Sequence, residues 1–518
     1  MAQQEDLEEF GIEAAKSTSI YVGAQLASTL ISFFVLILPA RVLSAAGFGI
    51  FVLAIAFSTL LGFGGNLSFG SAMRRMLPLS MRDRKRQRSL LSNAYVVGSS
   101  TGLIITIIAL VFSNAIATSV YHNAALALPL RIASVMILLT VLFNLGLSSL
   151  VGLGKTKEAA ISDLMYSSAQ FVAVALLLYA GYGVSGAVAG MTAGFLAGIF
   201  AEAYYLRSTL GGIASKLSKS VIREILGFSL PVFASDISTM GLTNFAVLFL
   251  AVFASTGIVG NYGVAFKLGA AFQVVTVSST FIMLSSFSKA LGKAKLSKRI
   301  GRIYANSVHY SFLFVLPMLA YLVSSATPFI YLIFSSKYAL APSYFVVIAM
   351  GIALSMLGSY AGNLMIAYGH TRRFMRYQLA VIAISLILML ALTPYIGVNG
   401  ILVSLFVVSP ILLAAIYCVS LEKNYGLTLH YRRLLAITLA ALLTAALAML
   451  LPQALHYGGH TELIVNLLIV LLVYPPLAVL FRGITAENVQ FLRKFSNRLG
   501  PASPLLRLAL AYTQMFIR

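Results

Sequence analysis

The chain reads Gly154-Lys155-Thr156-Lys157 and then Gly183-Val184-Ser185-Gly186, and both stretches recur about 214 residues later as Gly369-His370-Thr371-Arg372 and Gly397-Val398-Asn399-Gly400. Upstream, Gly47-Phe48-Gly49-Ile50 is matched at the same offset by Asn261-Tyr262-Gly263-Val264. Internal duplication of a hydrophobic chain is how many membrane transporters build a binding site between two halves. The repeat therefore predicts a two-lobed membrane transporter.

Composition places the chain in a membrane. Hydrophobic residues make up 60% of it, charged residues 10%, and the mean hydropathy is +0.94, whereas about a quarter of a soluble protein is charged. The net charge of +22 would indicate nucleic acid binding in a soluble protein, but in a membrane protein the positions of the charges matter more. We therefore predict no nucleic acid partner.

Cysteine content and the N-terminal residues exclude two further features. The single cysteine, Cys418, permits neither an internal disulfide nor a thiolate metal site, so no metal and no cofactor is predicted. The first 13 residues contain five acidic residues and no basic one, unlike the basic start of a signal peptide. The first apolar stretch is accordingly predicted to remain as a membrane span.

Apolar runs of about 20 residues, the length that crosses the hydrocarbon of a bilayer as a helix, occur about fourteen times. The predicted spans are 17–39, 47–67, 90–113, 127–150, 160–181, 184–206, 227–252, 257–285, 303–325, 343–368, 374–395, 399–421, 433–454 and 463–481. An even number of spans leaves both termini on the same side of the membrane.

The basic residues of the loops predict the orientation. Of 36 lysines and arginines, 32 fall in alternate connections or near the termini, Arg41, Arg131 and Lys337 fall on the other side, and Lys267 lies inside a span. Loops rich in basic residues stay in the cytoplasm. We therefore predict a multi-pass protein of the plasma membrane with both termini in the cytoplasm.

The predicted fold is an all-α polytopic membrane protein with two lobes of six spans and two extra spans at the C-terminal end. Because the repeat offset contains six spans, an even number, the lobes should be related by a pseudo-two-fold axis near the membrane normal. The predicted segments are a cytoplasmic N-terminal segment at 1–16, an N-lobe at 17–210, a C-lobe at 211–430, spans thirteen and fourteen at 431–482, and a cytoplasmic tail at 483–518. The tail's apolar residues recur at helical spacing from Val489 to Leu499, which is typical of an amphipathic helix on a membrane surface.

Charged residues within the spans are the first candidates for function, because a lysine or aspartate at the bilayer centre costs about 2.5 to 3.5 kcal/mol. Lys267 lies about ten residues inside the eighth span, and Asp236 lies about two-fifths of the way through the seventh. One interpretation is an ion pair between neighbouring helices. The other is that Lys267 faces a central cavity and binds an anionic group of the substrate.

Further polar residues are candidates for substrate binding. Arg41 and Arg131 lie at the outer ends of spans one and four. They either extend to lipid phosphates or form a cationic rim for the same anion, since arginine binds phosphate oxygens through two parallel hydrogen bonds. The spans also contain uncharged hydrogen-bonding groups, which serve as interhelical contacts or as sugar-binding groups. These are Gln25, Asn66, Asn144, Gln170, Asn244, Asn261, Gln273 and His309.

Two acidic residues of the predicted N-lobe, Asp163 and Glu202, lie near the cytoplasmic ends of their spans. We expect Asp163 to pair with Lys157 and Glu202 with Arg207. A cation-coupled exporter of drugs or small metabolites should carry acidic residues deep in this lobe, so it is the less favoured alternative.

Catalytic motifs are missing from the loops. The outer connections hold three histidines and one acid, Glu462, and no HExxH, GxSxG or Walker-type motif occurs. Gly154-Lys155-Thr156 resembles the end of a phosphate loop, but its copy reads Gly369-His370-Thr371, so we interpret it as a turn with a basic end. The sequence predicts no enzyme, and a membrane glycan ligase is the most remote alternative.

Three stretches, together with the span pattern, carry a family resemblance. They are Leu38-Pro39-Ala40-Arg41-Val42-Leu43 leading into Gly47-Phe48-Gly49-Ile50-Phe51, then Gly227-Phe228-Ser229-Leu230-Pro231, and Val259-Gly260-Asn261-Tyr262-Gly263-Val264-Ala265-Phe266-Lys267-Leu268. Over about 480 residues the chain resembles the polysaccharide-biosynthesis, or Wzx-type, flippases of the multidrug, oligosaccharidyl-lipid and polysaccharide exporter superfamily.

The resemblance implies a flippase that moves a polyprenyl (pyro)phosphate-linked oligosaccharide from the inner to the outer leaflet by alternating access. Members of the family have a charged residue in the eighth span and a basic residue after the first span. The resemblance implies that these are Lys267 and Arg41 in this chain. The implied partners are this lipid-linked substrate, membrane lipids, and glycan polymerases or glycosyltransferases. The two extra spans argue against the multidrug branch, in which twelve spans are usual. The lipid II flippase branch carries several cavity arginines, whereas only Lys267 lies deep here.

Overall fold

The computed structural model describes residues 23–212, 216–237, 241–291, 297–455, 458–486, 488–490, 493 and 503–517. All regular secondary structure in these ranges is helical. Twelve of the described helices are long and apolar enough to cross a membrane. The chain is thus an all-α, multi-pass membrane protein, as its composition predicts.

The chain forms two compact units, an N-terminal unit at Met1–Gly263 and a C-terminal unit at Val264–Arg518. The helices of the N-terminal unit are α1 Gly23–Val42, α2 Ala45–Asn66, α3 Phe69–Leu79, α4 Arg84–Ala115, α5 Ala127–Gly152, α6 Thr156–Tyr179, α7 Gly183–Leu210, α8 Lys219–Asp236 and α9 Leu242–Phe253. The next helix, α10 Thr256–Leu291, begins in the N-terminal unit and continues into the C-terminal unit.

The C-terminal unit contains the following helices within the described residues. They are α11 Ser297–Ser324, α12 Ala326–Ile333, α13 Ala341–Ala367, α14 Thr371–Ile396, α15 Val398–Tyr425, α16 Tyr431–Leu455, α17 His460–Leu480 and α18 Ser503–Gln514. Within α15, residues Leu402–Val408 form a π-helical turn.

The helices follow the predicted spans. The seventh span, at 227–252, corresponds to α8 and α9, and residues 238–240 between them lie outside the described part. The short helix α3 stands where the pattern predicts only a loop, because 11 residues are too few to register as a span. The N-terminal segment 1–16 and most of the amphipathic stretch from Val489 to Leu499 lie outside the described residues.

The repeated glycine motifs form the same turn in both units. Gly154 has φ +75° and Gly369 has φ +80°, a left-handed conformation that glycine adopts without strain at the end of a helix. The residue after each glycine donates its amide to the carbonyl five residues earlier, at 2.9 Å and 3.0 Å. The interpretation of Gly154-Lys155-Thr156 as a turn is confirmed, and the duplication is visible in the local backbone.

Two glycines bring α2 and the first turns of α10 into close contact within the N-terminal unit. A Cβ on Gly49 would lie 2.7 Å from the carbonyl carbon of Thr256, and one on Gly260 would lie 3.2 Å from that of Ala45. Small residues allow membrane helices to pack backbone against backbone. The Gly47-Phe48-Gly49 motif and the start of α10 that repeats it therefore lie against each other.

The last helix, α18, packs against the final predicted span, α17. Tyr512 Oη donates a hydrogen bond of 2.8 Å to the carbonyl of Leu472. That carbonyl has no helical donor, because Pro476, four residues further on, lacks an N–H group. Leu472 lies twelve residues after the first residue of α17, so α18 contacts the body of the span.

Replacing Tyr512 with phenylalanine should lower the free energy of unfolding by about 1 kcal/mol, since it leaves the Leu472 carbonyl without a donor. Thermal unfolding of the purified protein in nanodiscs measures this loss. The matched control is Tyr395→Phe, because the Tyr395 side chain is 88% exposed. Equal unfolding midpoints for the two variants would show that the Tyr512 contact does not stabilise the protein.

Candidate functional site

Lys267 is the twelfth residue of α10 and is half-buried. Among the residues that the structure describes, its ammonium group has neither a hydrogen bond nor an ion pair. Beside it, Phe266 makes an edge contact with Phe406 of α15, with 6.4 Å between ring centroids, and Gly269 packs against Ile348 of α13. Helices of the C-terminal unit therefore hold this part of α10 in place.

The other two predicted site residues of α10 do not share a face with Lys267. Asn261 and Gln273 lie six residues before and after it, and at 3.6 residues per turn each is rotated by about 120° around the helix axis. Asn261 is 6% exposed and donates to the carbonyl of Gly257 at 2.8 Å, whereas Gln273 is exposed. One ligand on one face of α10 would therefore not contact all three residues.

Asn66 and Asp236 lie at a break between α2 and α3. Leu67 and Ser68 have φ values of 43° and 56°, which place two non-glycine residues in the sparsely populated left-handed region. Ser68 Oγ donates to Asp236 Oδ2 at 2.7 Å. Asn66 Oδ1 is buried with no hydrogen-bond partner in the described part of the chain. The structure thus joins Asp236 to the break that begins at Asn66.

Membrane transporters place ligand-binding groups at such interruptions, where backbone groups leave the helical hydrogen-bond pattern. The break is therefore a second candidate for the site, separate from Lys267. Because Asp236 belongs to the N-terminal unit and Lys267 to the C-terminal unit, an ion pair between them stays a prediction.

The remaining predicted site residues lie on the surface or are half-buried. Arg41 is exposed at the end of α1, Arg131 is exposed near the start of α5, Gln25 is exposed on α1, and Asn244 is half-buried in α9. Both arginines lie at helix ends, as the sequence predicts. Their role as a cationic rim stays a prediction.

Sequence reasoning missed a pair of buried carboxyl groups between α6 and α7. Asp163 is 8% and Glu202 is 2% exposed, and the two are close enough to interact electrostatically. Asp163 Oδ2 and Glu202 Oε1 are buried without a hydrogen-bond partner among the described residues.

The expected pairs of Asp163 with Lys157 and of Glu202 with Arg207 are wrong. Within the described ranges, the ion pairs are Arg86 with Glu224, at 2.7 Å, and Lys155 with Glu158, at 3.5 Å. Counting residues from the span ends places both acids along their helices but does not give the direction in which they point.

A glycine explains why Glu202 points inward. A Cβ on Gly146 of α5 would lie 2.7 Å from Glu202 Cδ and 3.0 Å from Tyr95 Oη. The space that a side chain would fill is thus taken by the carboxyl group. Two neighbouring buried carboxylates repel each other, and a bound proton or small cation would relieve that repulsion.

The part of the sequence that forms these helices identifies the family of the chain. A family model described as polysaccharide biosynthesis protein matches residues 14–287, more than half of the 518 residues. The chain belongs to the polysaccharide biosynthesis protein family. The matched part includes Arg41, Asp163, Glu202, Asp236 and Lys267. The resemblance predicted from the sequence is confirmed.

Solved structures of two kinds of transporter share the fold of this family member. The lipid II flippase MurJ in its inward closed conformation is 16% identical, with a TM-score of 0.70, over 89% of this chain and 98% of the other. An inward-facing multidrug resistance MATE family transporter of the MOP superfamily is 16% identical, with a TM-score of 0.65, over 77% and 96%. A MOP superfamily transporter from Pyrococcus furiosus is 17% identical, with a TM-score of 0.52, over 80% and 95%.

A search of curated protein sequences gives no match. At 16 to 17% identity the structural likeness concerns the fold alone. The polysaccharide biosynthesis protein therefore has a fold similar to the two-lobed folds of flippases and MATE transporters, and its substrate has to be inferred from its own residues.

Proposed function

We propose that this polysaccharide biosynthesis protein is a flippase for a polyprenyl (pyro)phosphate-linked oligosaccharide. It moves this lipid from the inner to the outer leaflet by alternating access, for assembly of a cell-surface polysaccharide or glycoconjugate. The observation that carries the proposal is Lys267: of 36 basic residues it is the one that the sequence places deep within a predicted span, in a family named for polysaccharide biosynthesis.

The chemistry of lysine suits a transported phosphate. Its ammonium group is a compact charge that attracts phosphate oxygens without the two-point hydrogen bonding of arginine. A lysine at mid-membrane costs about 2.5 to 3.5 kcal/mol, and an anionic ligand offsets that cost. Binding that is firm enough for capture but not bidentate also permits release at the other leaflet.

The membrane and the partners of the flippase follow from the same proposal. The basic loops support a plasma membrane location with both termini in the cytoplasm. The substrate is made on the cytoplasmic side, so glycosyltransferases would supply it and a glycan polymerase would use it. No catalytic step is assigned to the protein itself.

Deletion of the gene in its native host tests the proposal. We expect the lipid-linked oligosaccharide to accumulate on the cytoplasmic leaflet and surface polysaccharide to fall. Extraction of the lipid-linked sugars, with and without prior labelling of the outer surface, measures both. An unchanged pool together with a loss of drug resistance would contradict the flippase and support an exporter.

The second candidate function is a cation-coupled exporter of drugs or small metabolites. The specific observation in its favour is the buried pair of Asp163 and Glu202, which are 8% and 2% exposed. Without a basic partner in the described part of the chain, the pair provides a place where a proton or cation could bind and drive export.

Replacing Glu202 with glutamine tests this second candidate. In an exporter, we expect the transport driven by an imposed proton or sodium gradient to fall by about tenfold, a loss of about 1.4 kcal/mol, because an amide cannot take up the charge. The control is Glu224→Gln, which removes an acid from an exposed ion pair. Equal gradient-driven rates for both variants would argue against a coupling role for the buried pair.

A further inference from the structure

Two cavities of the C-terminal unit lie next to each other. The first has a volume of about 460 Å³ and lies between α11, α13, α15 and α16. The second has a volume of about 620 Å³ and lies between the ends of α11 and α13 and the facing residues of α16 and α17. Val323 lines both cavities, so they adjoin, and together they are called the groove.

The groove changes from apolar to polar along its length. On α16, the apolar cavity extends from Leu434 to Ala445 and the polar cavity from Met449 to Gln453. At 1.5 Å per residue, the apolar part is about 17 Å long and the whole groove about 28 Å. This length is close to the hydrocarbon thickness of a bilayer, about 30 Å. The groove thus fits an amphiphile with one long chain.

The polar end offers hydrogen-bonding groups and a negative charge. Thr327, Ser343, Gln453 and Glu462 line it. An adjoining cavity of about 360 Å³ shares Thr327 and Glu462 and adds the ring of Tyr331 and the imidazole of His460. Hydroxyl, amide and carboxylate groups of this kind exchange hydrogen bonds with hydroxyl groups of a ligand.

A phosphate does not suit this end of the groove. No lysine or arginine is among the described residues that line the three cavities. Lys337 is close in sequence to the lining residue Ala339, but its Nζ lies over the ring of Tyr338, 5.6 Å from the ring centroid. An anionic head group would meet the carboxylate of Glu462 without a cation to balance it.

We propose that this groove binds a neutral lipid with a hydroxyl-rich head, such as a glycolipid. The head contacts Glu462 and its neighbours, and a chain fills the apolar cavity. This ligand differs from the phosphate-bearing substrate of the proposed flippase, and its binding does not depend on that function. The bilayer itself supplies the lipid.

The absence of tryptophan from the chain allows a direct test. Leu442→Trp places one fluorophore in the apolar cavity, and Leu443→Trp places it on the same helix outside the groove; the two leucines are 53% and 45% exposed. The protein is reconstituted in phosphatidylcholine vesicles that contain either monoglucosyldiacylglycerol or phosphatidylglycerol with brominated chains. Bromine quenches the tryptophan of any variant that holds the lipid.

We expect the brominated glycolipid to quench the Leu442→Trp variant about threefold more than the Leu443→Trp variant, a preference of about 0.6 kcal/mol. Brominated phosphatidylglycerol should quench both equally. Adding Glu462→Lys to Leu442→Trp should reverse the preference in favour of phosphatidylglycerol. Equal quenching of the two variants by the glycolipid, or selective quenching by phosphatidylglycerol without Glu462→Lys, would overturn the proposal.

Discussion

The Lys267→Ala variant is expected to lose glycan export while it is expressed and folded normally. A hydrogen bond to a charged group contributes about 1.5 to 3 kcal/mol, so its removal should slow export by about 10- to 150-fold. Surface polysaccharide of cells that carry the variant in place of the native gene measures the effect. Normal folding is expected because the ammonium group has no hydrogen bond or ion pair within the described residues.

Two further variants test whether export depends on the positive charge at Lys267. Lys267→Arg keeps the charge and should retain part of the export, since guanidinium binds the phosphate but releases it less readily. Lys337→Ala removes a lysine from the loop before α13 and should leave export unchanged. Full export by Lys267→Ala would rule out a phosphate-binding role for this residue.

Gly49→Ala is expected to prevent stable folding of the N-terminal unit. The new methyl group would lie 2.7 Å from the carbonyl carbon of Thr256 and closer still to its oxygen. Backbone atoms cannot rotate away, so α2 and α10 would have to separate. We expect a loss of about 3 kcal/mol, measured as a fall in monodisperse protein and in the unfolding midpoint.

The same helix offers a matched control for Gly49. A Cβ on Gly64 would meet only the end of Ile105, at 3.6 Å, which is ordinary van der Waals contact. Gly64→Ala should therefore yield stable protein. Similar yields for the two variants would show that the close approach of α2 and α10 does not hold the N-terminal unit together.

The order of the helices and their positions along the chain could be predicted, because both depend on local sequence patterns. Runs of apolar residues mark spans, and glycines mark their ends: Gly154 and Gly369 are both left-handed at equivalent turns. The short helix α3 was not predicted, because Phe69–Leu79 is half the length of a span and carries Arg74 and Arg75.

Lateral packing between helices could not be predicted in the same way. Counting residues places Glu202 along its helix, but its burial depends on the missing side chain of Gly146, on a different helix. The break at Leu67 and Ser68 is also invisible in the sequence, since neither residue favours a positive φ. For Lys267 the sequence predicts the position within a helix, whereas its separation from Asn261 and Gln273 around the helix axis required the helix geometry.

The central claim is tested most directly by the purified protein in vesicles that contain a lipid-linked oligosaccharide in both leaflets. An added enzyme that cannot cross the membrane consumes the sugar in the outer leaflet, and the measured quantity is the fraction consumed over time. We predict nearly complete consumption with the native protein and, within the same time, little more than the outer half with Lys267→Ala and only the outer half with no protein. Consumption that stops at the outer half with the native protein, or proceeds as fast with Lys267→Ala as with the native protein, would contradict the account.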